Sequence, residues 1–159
     1  MSAQKADQAG AFAHVNIVAR DWRALVHFYV EALGCEPVPP ERDYSGEFIE
    51  RLTGLPGARV RGIHLRTPGR GPTGPTIEIF TYEQDEPQST PPANRQGFAH
   101  IAFLVDDVPA ALERMLAAGG STVGELLETD VPGAGRLTAV YARDPEDNIV
   151  ELQRWDRAG

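Results

Sequence analysis

Two histidines and two glutamates occupy matching positions in a stretch of sequence that occurs twice. Residues 14–34 (HVNIVARDWRALVHFYVEALG) and 100–120 (HIAFLVDDVPAALERMLAAGG) align without a gap, and each stretch begins with a histidine. Each half later contains a short apolar segment with one carboxylate in it, I-E-I-F in the first and V-E-L in the second. Imidazole nitrogens with carboxylate oxygens suit a borderline divalent ion such as Zn, Ni, Co, Mn or Fe(II). The predicted metal ligands are His14, Glu78, His100 and Glu151.

The alternation of side chains along a strand predicts that these four residues share one face of a sheet. Val15 and Ile17 would pack under a helix, so His14 points to the opposite face. Glu78 and Glu151 each stand between two aliphatic residues and leave the apolar face in the same way. Taken singly, such a histidine is a surface or capping residue and such a glutamate an edge charge. The matching register in both halves favours the metal site.

The chemistry expected of such a site is proton transfer next to a polarised carbonyl. An octahedral ion with four protein ligands keeps two positions for water or substrate and stabilises an enediolate. Glu78 or Glu151 would move the proton on the adjacent carbon. His64, which alternates with Ile63 and Leu65, is a further candidate acid or base. The alternative for His64 is a hydrogen-bonded histidine at the rim of the sheet.

Several other side chains are expected to line the same face as the substrate pocket. These are Asn16, Arg66, Phe80, Leu104 and Tyr141, with Phe80 and Leu104 serving equally well as core residues. Arg59, Arg61, Arg66 and Arg70 concentrate positive charge near one loop. This positive charge would attract an anionic substrate. The alternative is that these arginines form a solvated edge of the fold.

Each half reads as a β-α-β-β-β unit, which predicts an α+β fold. Asp21 caps a helix with apolar residues at helical spacing, and Gly34 ends it. The predicted strands cover residues 14–19, 60–67 and 76–82 in the first half and 98–105, 122–129, 136–142 and 148–153 in the second, where a helix begins at Val108.

The predicted domain organisation is one fold made of two modules. Residues 1–11 are expected to be disordered, 12–82 to form the first module with an inserted lid segment at 41–57, 83–97 to form a Pro-rich linker, and 98–155 to form the second module.

Composition excludes several classes of partner. The net charge of −8 over 159 residues, with no basic stripe, argues against nucleic acid and anionic membranes. No apolar run is long enough to span a membrane, and the first ten residues do not resemble a signal peptide. A single cysteine, Cys35, suits a reducing compartment, so we expect a cytoplasmic protein.

The motifs resemble the vicinal oxygen chelate superfamily, which includes glyoxalase I, methylmalonyl-CoA epimerase, extradiol dioxygenases and fosfomycin- and bleomycin-resistance proteins. The resemblance covers roughly residues 12–155. Its motifs are H-V-N-I-V-x-R-D with F-Y after it (14–29), I-E-I-F (77–80), G-F-A-H-I-A-F-x-V-D-D (97–107) and D-P-E-D-N-I-V-E-L (144–152), in which Asp147 stands where glycine is usual.

The resemblance implies two tandem βαβββ modules that form a cupped mixed β-sheet with helices on the convex side. It also implies a homodimer, one divalent metal ion, and His14, Glu78, His100 and Glu151 as ligands, from one chain or shared between two. With Glu78 at the second position, the ligand set resembles the His-Glu-His-Glu set of glyoxalase I. This resemblance favours lyase, isomerase or epimerase chemistry on a small molecule. An Fe(II) extradiol-type dioxygenase with Glu78 released, and a non-catalytic binding or antibiotic-resistance protein, remain the alternatives.

Overall fold

The structure, a computed structural model, describes residues 10–157 as a mixed α+β fold of three helices and two mixed sheets. Disorder was predicted for residues 1–11, and residues 1–9 of that segment lie outside the described residues. The first half contains β1 (His14–Val18), α1 (Trp22–Leu33), β2 (Glu36–Ser45), α2 (Glu47–Thr53), β3 (Arg59–Arg66) and β4 (Thr76–Tyr82). The second half contains β5 (His100–Leu104), α3 (Val108–Ala117), β6 (Ser121–Thr122), β7 (Leu127–Val131), β8 (Gly135–Arg143) and β9 (Ile149–Asp156).

Each half builds its own sheet around one parallel pair of strands. The strand order is β1-β4-β3-β2 in the first sheet and β5-β9-β8-β6 in the second, with β7 also paired to β8. The pairs β1–β4 and β5–β9 are parallel, and the remaining neighbours are antiparallel. The strand that begins with a histidine therefore lies beside the strand that carries the glutamate in both halves.

The two long helices begin and end where their sequences predict. The Asp21 carboxylate accepts hydrogen bonds from the N–H groups of Arg23 and Ala24, which otherwise have no partner within the helix. Gly34 ends α1 in the left-handed region with a φ of 68°. Asp107 caps α3 in the same way through the N–H of Ala110. No helix within residues 10–157 is long and apolar enough to cross a membrane.

The two helices and the apolar faces of both sheets share one hydrophobic core. Tyr29 of α1 is fully buried, and its ring lies 6.4 Å from that of Phe103 on β5. The Tyr29 hydroxyl donates a 2.9 Å hydrogen bond to buried Asp144, which precedes β9. Because α1 contacts residues of the second half in this way, the core fixes where β9 lies relative to the first module.

Two regions differ from the predicted elements. Residues 36–45 form a strand, β2, in the Pro-rich stretch where none was predicted, and the predicted lid segment divides between β2 and α2. An edge strand tolerates proline because one side of it needs no ladder hydrogen bonds, and β2 has an irregular register between Val38 and Arg42. The single strand predicted at 122–129 is instead two short strands, β6 and β7, which both pair with β8.

Candidate metal centre

A cluster of two histidines and one glutamate lies on the open face of the first sheet. His14 is the first residue of β1, His64 is on β3, and Glu78 is on β4, where it pairs in register with His64. The ligand atoms of these three side chains all lie within 4.8 Å of one another. This donor set of two imidazoles and one carboxylate fits a borderline divalent metal ion.

Neighbouring side chains hold the Glu78 carboxylate from both sides. The Asn16 amide donates to Oε1 at 2.9 Å, and His64 Nε2 lies 2.8 Å from Oε2. His64 Nδ1 lies 2.9 Å from the Thr76 hydroxyl. When Thr76 donates to Nδ1, the proton of the neutral ring is on Nε2 and is donated to Glu78. In that arrangement Thr76 fixes the tautomer of His64 and the direction in which its proton points.

Burial lowers the pKa of His64 below the usual histidine value. The nearby charges of Arg42 and His14 lower it further, while Glu78 opposes them. His64 is therefore a neutral imidazole at pH 7, the form that binds a metal ion or donates a neutral hydrogen bond.

The second sheet carries a related but simpler cluster. His100 Nε2 on β5 lies 3.0 Å from Glu151 Oε2 on β9. Tyr141 on β8 pairs in register with Glu151, as His64 does with Glu78, and its ring centroid is 4.8 Å from that of His100. Ala102 pairs with Glu151 where Asn16 pairs with Glu78. The amide and the second imidazole of the first cluster thus have no counterpart in the second.

The four predicted ligands form two separate pairs within the chain. Among residues 10–157, the only group of at least three His, Cys, Asp or Glu ligand atoms that come this close together is the one of His14, His64 and Glu78. β1 and β5, each the outer strand of its sheet, face one another across a cleft of about 420 Å³. His100 and residues 15–20 line this cleft, so the two half-sites lie on either side of it.

The predicted pocket residues divide among different surroundings. Asn16 and Tyr141 lie beside the two glutamates. Phe80 is buried, packs with Ile49 and Val60 in a small core under α2, and has its ring 6.3 Å from that of His64. Arg66 pairs with Glu36 at 3.2 Å.

Leu104 is 64% exposed and lines a different cleft. Thr76 was not predicted, although its position two residues before Glu78 on the same strand places it on the same face.

The turn before β9 explains how Glu151 is positioned. The buried Asp144 carboxylate accepts hydrogen bonds from the backbone N–H groups of Glu146 and Asn148 and from the Asn148 side chain. Asp147 adopts a positive φ of 69°, the conformation that glycine adopts most easily and that aspartate tolerates. Glu146 accepts hydrogen bonds from the backbone N–H groups of Arg20 and Asp21, which ties the turn to the end of β1.

Comparisons with known proteins agree with this architecture. A protein-family model described as the Glyoxalase/Bleomycin resistance protein/Dioxygenase superfamily matches residues 13–139. No curated protein sequence matches the chain.

Solved structures with the same fold are numerous. A glyoxalase family protein from Bacillus cereus is 22% identical, with a TM-score of 0.78 over 96% of this chain and 99% of that one. A glyoxylase/bleomycin resistance protein/dioxygenase domain from Frankia sp. EAN1pec is 18% identical, with a TM-score of 0.61 over 94% and 100%.

A genomically encoded fosfomycin resistance protein from Listeria monocytogenes is 17% identical, with a TM-score of 0.59 over 94% of this chain and 96% of that one. At these identities the structures establish the shared fold, and the family model spans most of the chain. The protein belongs to the Glyoxalase/Bleomycin resistance protein/Dioxygenase superfamily.

Proposed function

We propose that this protein is a metal-dependent enzyme that transfers a proton next to a carbonyl or vicinal-oxygen group of a small molecule, as a lyase, isomerase or epimerase. The observation that carries this proposal is the cluster of His14, His64 and Glu78, in which a metal-type donor set stands on an open face. Both oxygens of Glu78 are engaged by neutral donors, the Asn16 amide and the His64 imidazole. Such an arrangement orients a carboxylate toward a ligand.

His14 and Glu78 of one copy, with His100 and Glu151 of a second copy, would hold one divalent ion at each of the two equivalent sites of a homodimer. Two observations support this pairing. The half-sites do not combine within the described part of one chain. The outer strand β1 also exposes the apolar side chain of Val18, which is 49% exposed and which a second copy would cover. The cytoplasmic location predicted from Cys35 remains a prediction.

The bound ion would supply a Lewis acid that polarises the substrate oxygen. Glu151 is the better proton acceptor of the two glutamates because, within residues 10–157, its only polar side-chain contact is His100. Its Oε1 is therefore available to take a proton from the carbon beside the carbonyl. His64 holds Glu78 in place by donating its one N–H to the carboxylate.

Elemental analysis of untagged protein, with His14→Ala, Glu78→Gln, His100→Ala and Glu151→Gln variants, tests the metal site. We expect near-stoichiometric Ni, Co, Zn or Mn in the wild type and loss in each variant. His27→Ala, which removes an exposed histidine of α1, serves as the matched control and should keep the metal. If wild-type protein binds none of these ions even after reconstitution, the proposal fails and a small-molecule binding protein is the better interpretation.

Solvent deuterium exchange tests the reaction type. A panel of α-hydroxyketones and α-ketoacids in D₂O should incorporate deuterium at the α-carbon with the metal-loaded protein. Glu151→Gln should stop exchange. A substrate that is converted while it retains its α-proton would contradict the proposed proton transfer.

One observation favours a second candidate, an Fe(II) oxygenase. Two histidines and one carboxylate lie together within a single chain, and that donor set is typical of non-haem Fe(II) oxygenases. In this case iron would remain bound in the His100→Ala variant and be lost in His64→Ala. Fe(II)-dependent O₂ consumption with a catechol would support this function over proton transfer.

A further inference from the structure

The open face of the second sheet continues beyond Glu151 into a cleft of about 880 Å³. Strand alternation places Glu151, Gln153 and Trp155 of β9 on the same face. Gln153 and Trp155 line the cleft, as does Leu104 of β5, which pairs with Gln153. At the rise of a β-strand, the cleft begins about 7 Å from Glu151 and extends to about 13 Å.

Arginines from both modules reach this cleft. Arg70 comes from the loop between β3 and β4, where Gly69 and Gly71 on either side adopt positive φ values of 75° and 69°. Arg157 comes from the end of β9. Within residues 10–157, neither of these two guanidinium groups has an ion-pair partner.

The third arginine of the cleft, Arg154, is surrounded by the carboxylates of Asp106, Asp107 and Asp156. Arg154 pairs with Asp156 at 2.7 Å, and its Nη1 lies 3.5 Å from the backbone oxygen of Asp106, whose carboxylate also acts on Arg154 electrostatically. Within residues 10–157, Arg70 and Arg157 are not paired with these carboxylates, so their guanidinium groups can contact an anion in the cleft.

Trp155 and Leu104 supply apolar surface beside these cations. Trp155 is half-buried and donates from its indole nitrogen to Gln153 Oε1 at 2.6 Å, which fixes the ring orientation. Leu104 adds exposed aliphatic surface. Guanidinium groups beside an aromatic ring and an aliphatic side chain suit an organic anion with a planar or apolar body.

We infer that this cleft binds the carboxylate or phosphate end of the substrate. The substrate class is then a compound with a carbonyl or vicinal oxygens at one end, an apolar middle, and an anion about 7–13 Å away. This statement about the substrate rests on the proposed function, whereas anion binding in the cleft does not.

NMR of the two tryptophan indole N–H groups tests the cleft directly. Benzoate and phenyl phosphate are the anionic probes, benzyl alcohol is the neutral control, and Trp155→Phe assigns the signals. We expect a saturable shift of the Trp155 signal with at least one anion, an unchanged signal from buried Trp22, and at least about tenfold weaker binding of benzyl alcohol. The anion that binds more tightly shows whether the cleft prefers a carboxylate or a phosphate.

A variant lacking both free arginines, Arg70→Gln with Arg157→Gln, should bind the anion about tenfold more weakly. Arg51→Gln removes one positive charge from exposed α2 and should leave the affinity unchanged. Equal affinities in the double variant and the wild type, equal binding of benzyl alcohol, or no Trp155 response to either anion would overturn the inference.

The readout also separates the two proposals. It needs neither metal nor turnover, so a Trp155 response in protein that fails to bind metal would refute the metal site and support the cleft. Normal metal content without a Trp155 response would support the metal site and refute anion binding in the cleft.

Discussion

Glu78 and Glu151 occupy the same place in two repeated modules but have different neighbours. Glu78 has Asn16 on one oxygen and His64 on the other, whereas Glu151 contacts His100 through one oxygen only. The registers are equivalent, since β3 and β8 each place one residue opposite the glutamate. The difference therefore comes from side-chain identity on a common backbone.

This contrast indicates how a duplicated site can divide two tasks. Each module retains one histidine and one glutamate that fit a metal ion. The first module adds groups that hold its carboxylate still, and the second leaves its carboxylate with a free oxygen. A metal ligand benefits from the first condition and a proton acceptor from the second.

The largest predicted effect on stability comes from the turn that exists only in the second module. Asp144→Ala would leave two backbone N–H groups, the Asn148 amide and the Tyr29 hydroxyl without their shared acceptor. We expect a loss of about 3–5 kcal/mol in the free energy of unfolding, measured by urea denaturation.

Asp147→Gly in the same turn is the control. It should change stability by no more than about 1 kcal/mol, because glycine adopts the positive φ of 69° without strain. Similar losses in the two variants would show that Asp144 does not hold the turn.

Replacing the residue that pairs with each glutamate tests whether the two modules divide metal binding and proton transfer between them. His64→Tyr gives the first module the residue that the second has at Tyr141. We expect kcat/KM to fall about 100-fold, the scale of an acid–base or orienting group in the reaction. Tyr141→Phe, which keeps the ring beside His100, should have little effect. An active His64→Tyr enzyme would mean that the contrast has no functional role.

Removing the amide tests a smaller part of the same contrast. Asn16→Ala gives the first module the residue found at Ala102 and frees Glu78 Oε1. Metal affinity, measured by competition with a chelator, should weaken about tenfold. The reciprocal Ala102→Asn variant should change affinity by no more than about twofold if Glu151 is the mobile carboxylate that we propose.

The smallest predicted effect on stability comes from substituting Cys35. Cys35 and Ser121 occupy equivalent positions shortly after the ends of α1 and α3. The gapless repeat continues to place Cys35 on Ser121, but Cys35 is 2% exposed and Ser121 is exposed. Burial raises the pKa of the Cys35 thiol from 9.0 to about 12.

The neutral thiol therefore contributes stability below about pH 9, and this contribution is lost as the pH rises toward 12. A disulfide reagent should modify Cys35 in urea but not in the native protein at pH 8. Cys35→Ser should cost about 1 kcal/mol, measured by urea denaturation. Rapid labelling of native protein would contradict the buried thiol.

The sequence was sufficient for the elements with clear periodicity. Alternation in β1, β3 and β4 and the helical spacing after Asp21 predicted the strands, α1, and the shared face of His14, His64 and Glu78. The hydrogen bond between Thr76 and His64 was missed, because a hydroxyl group in a strand carries no distinctive sequence signal.

Other features depend on tertiary packing and could not be predicted from the local sequence. Proline residues 37, 39 and 40 concealed β2, which is possible only because it is an edge strand. The separation of the His14–Glu78 and His100–Glu151 pairs depends on how the two sheets lie across their shared core. A repeat pattern gives equivalent positions in each module but not the distance between them.

Subunit mixing tests most directly whether two copies share the metal site. Neither His14→Ala nor His100→Ala should bind metal alone, but a mixed dimer has one site with all four ligands. Random exchange would restore metal to about a quarter of the wild-type sites. Recovery at this level, measured by elemental analysis after mixing, is the result we predict. No recovery, or full metal content in His100→Ala alone, would contradict a site shared between chains.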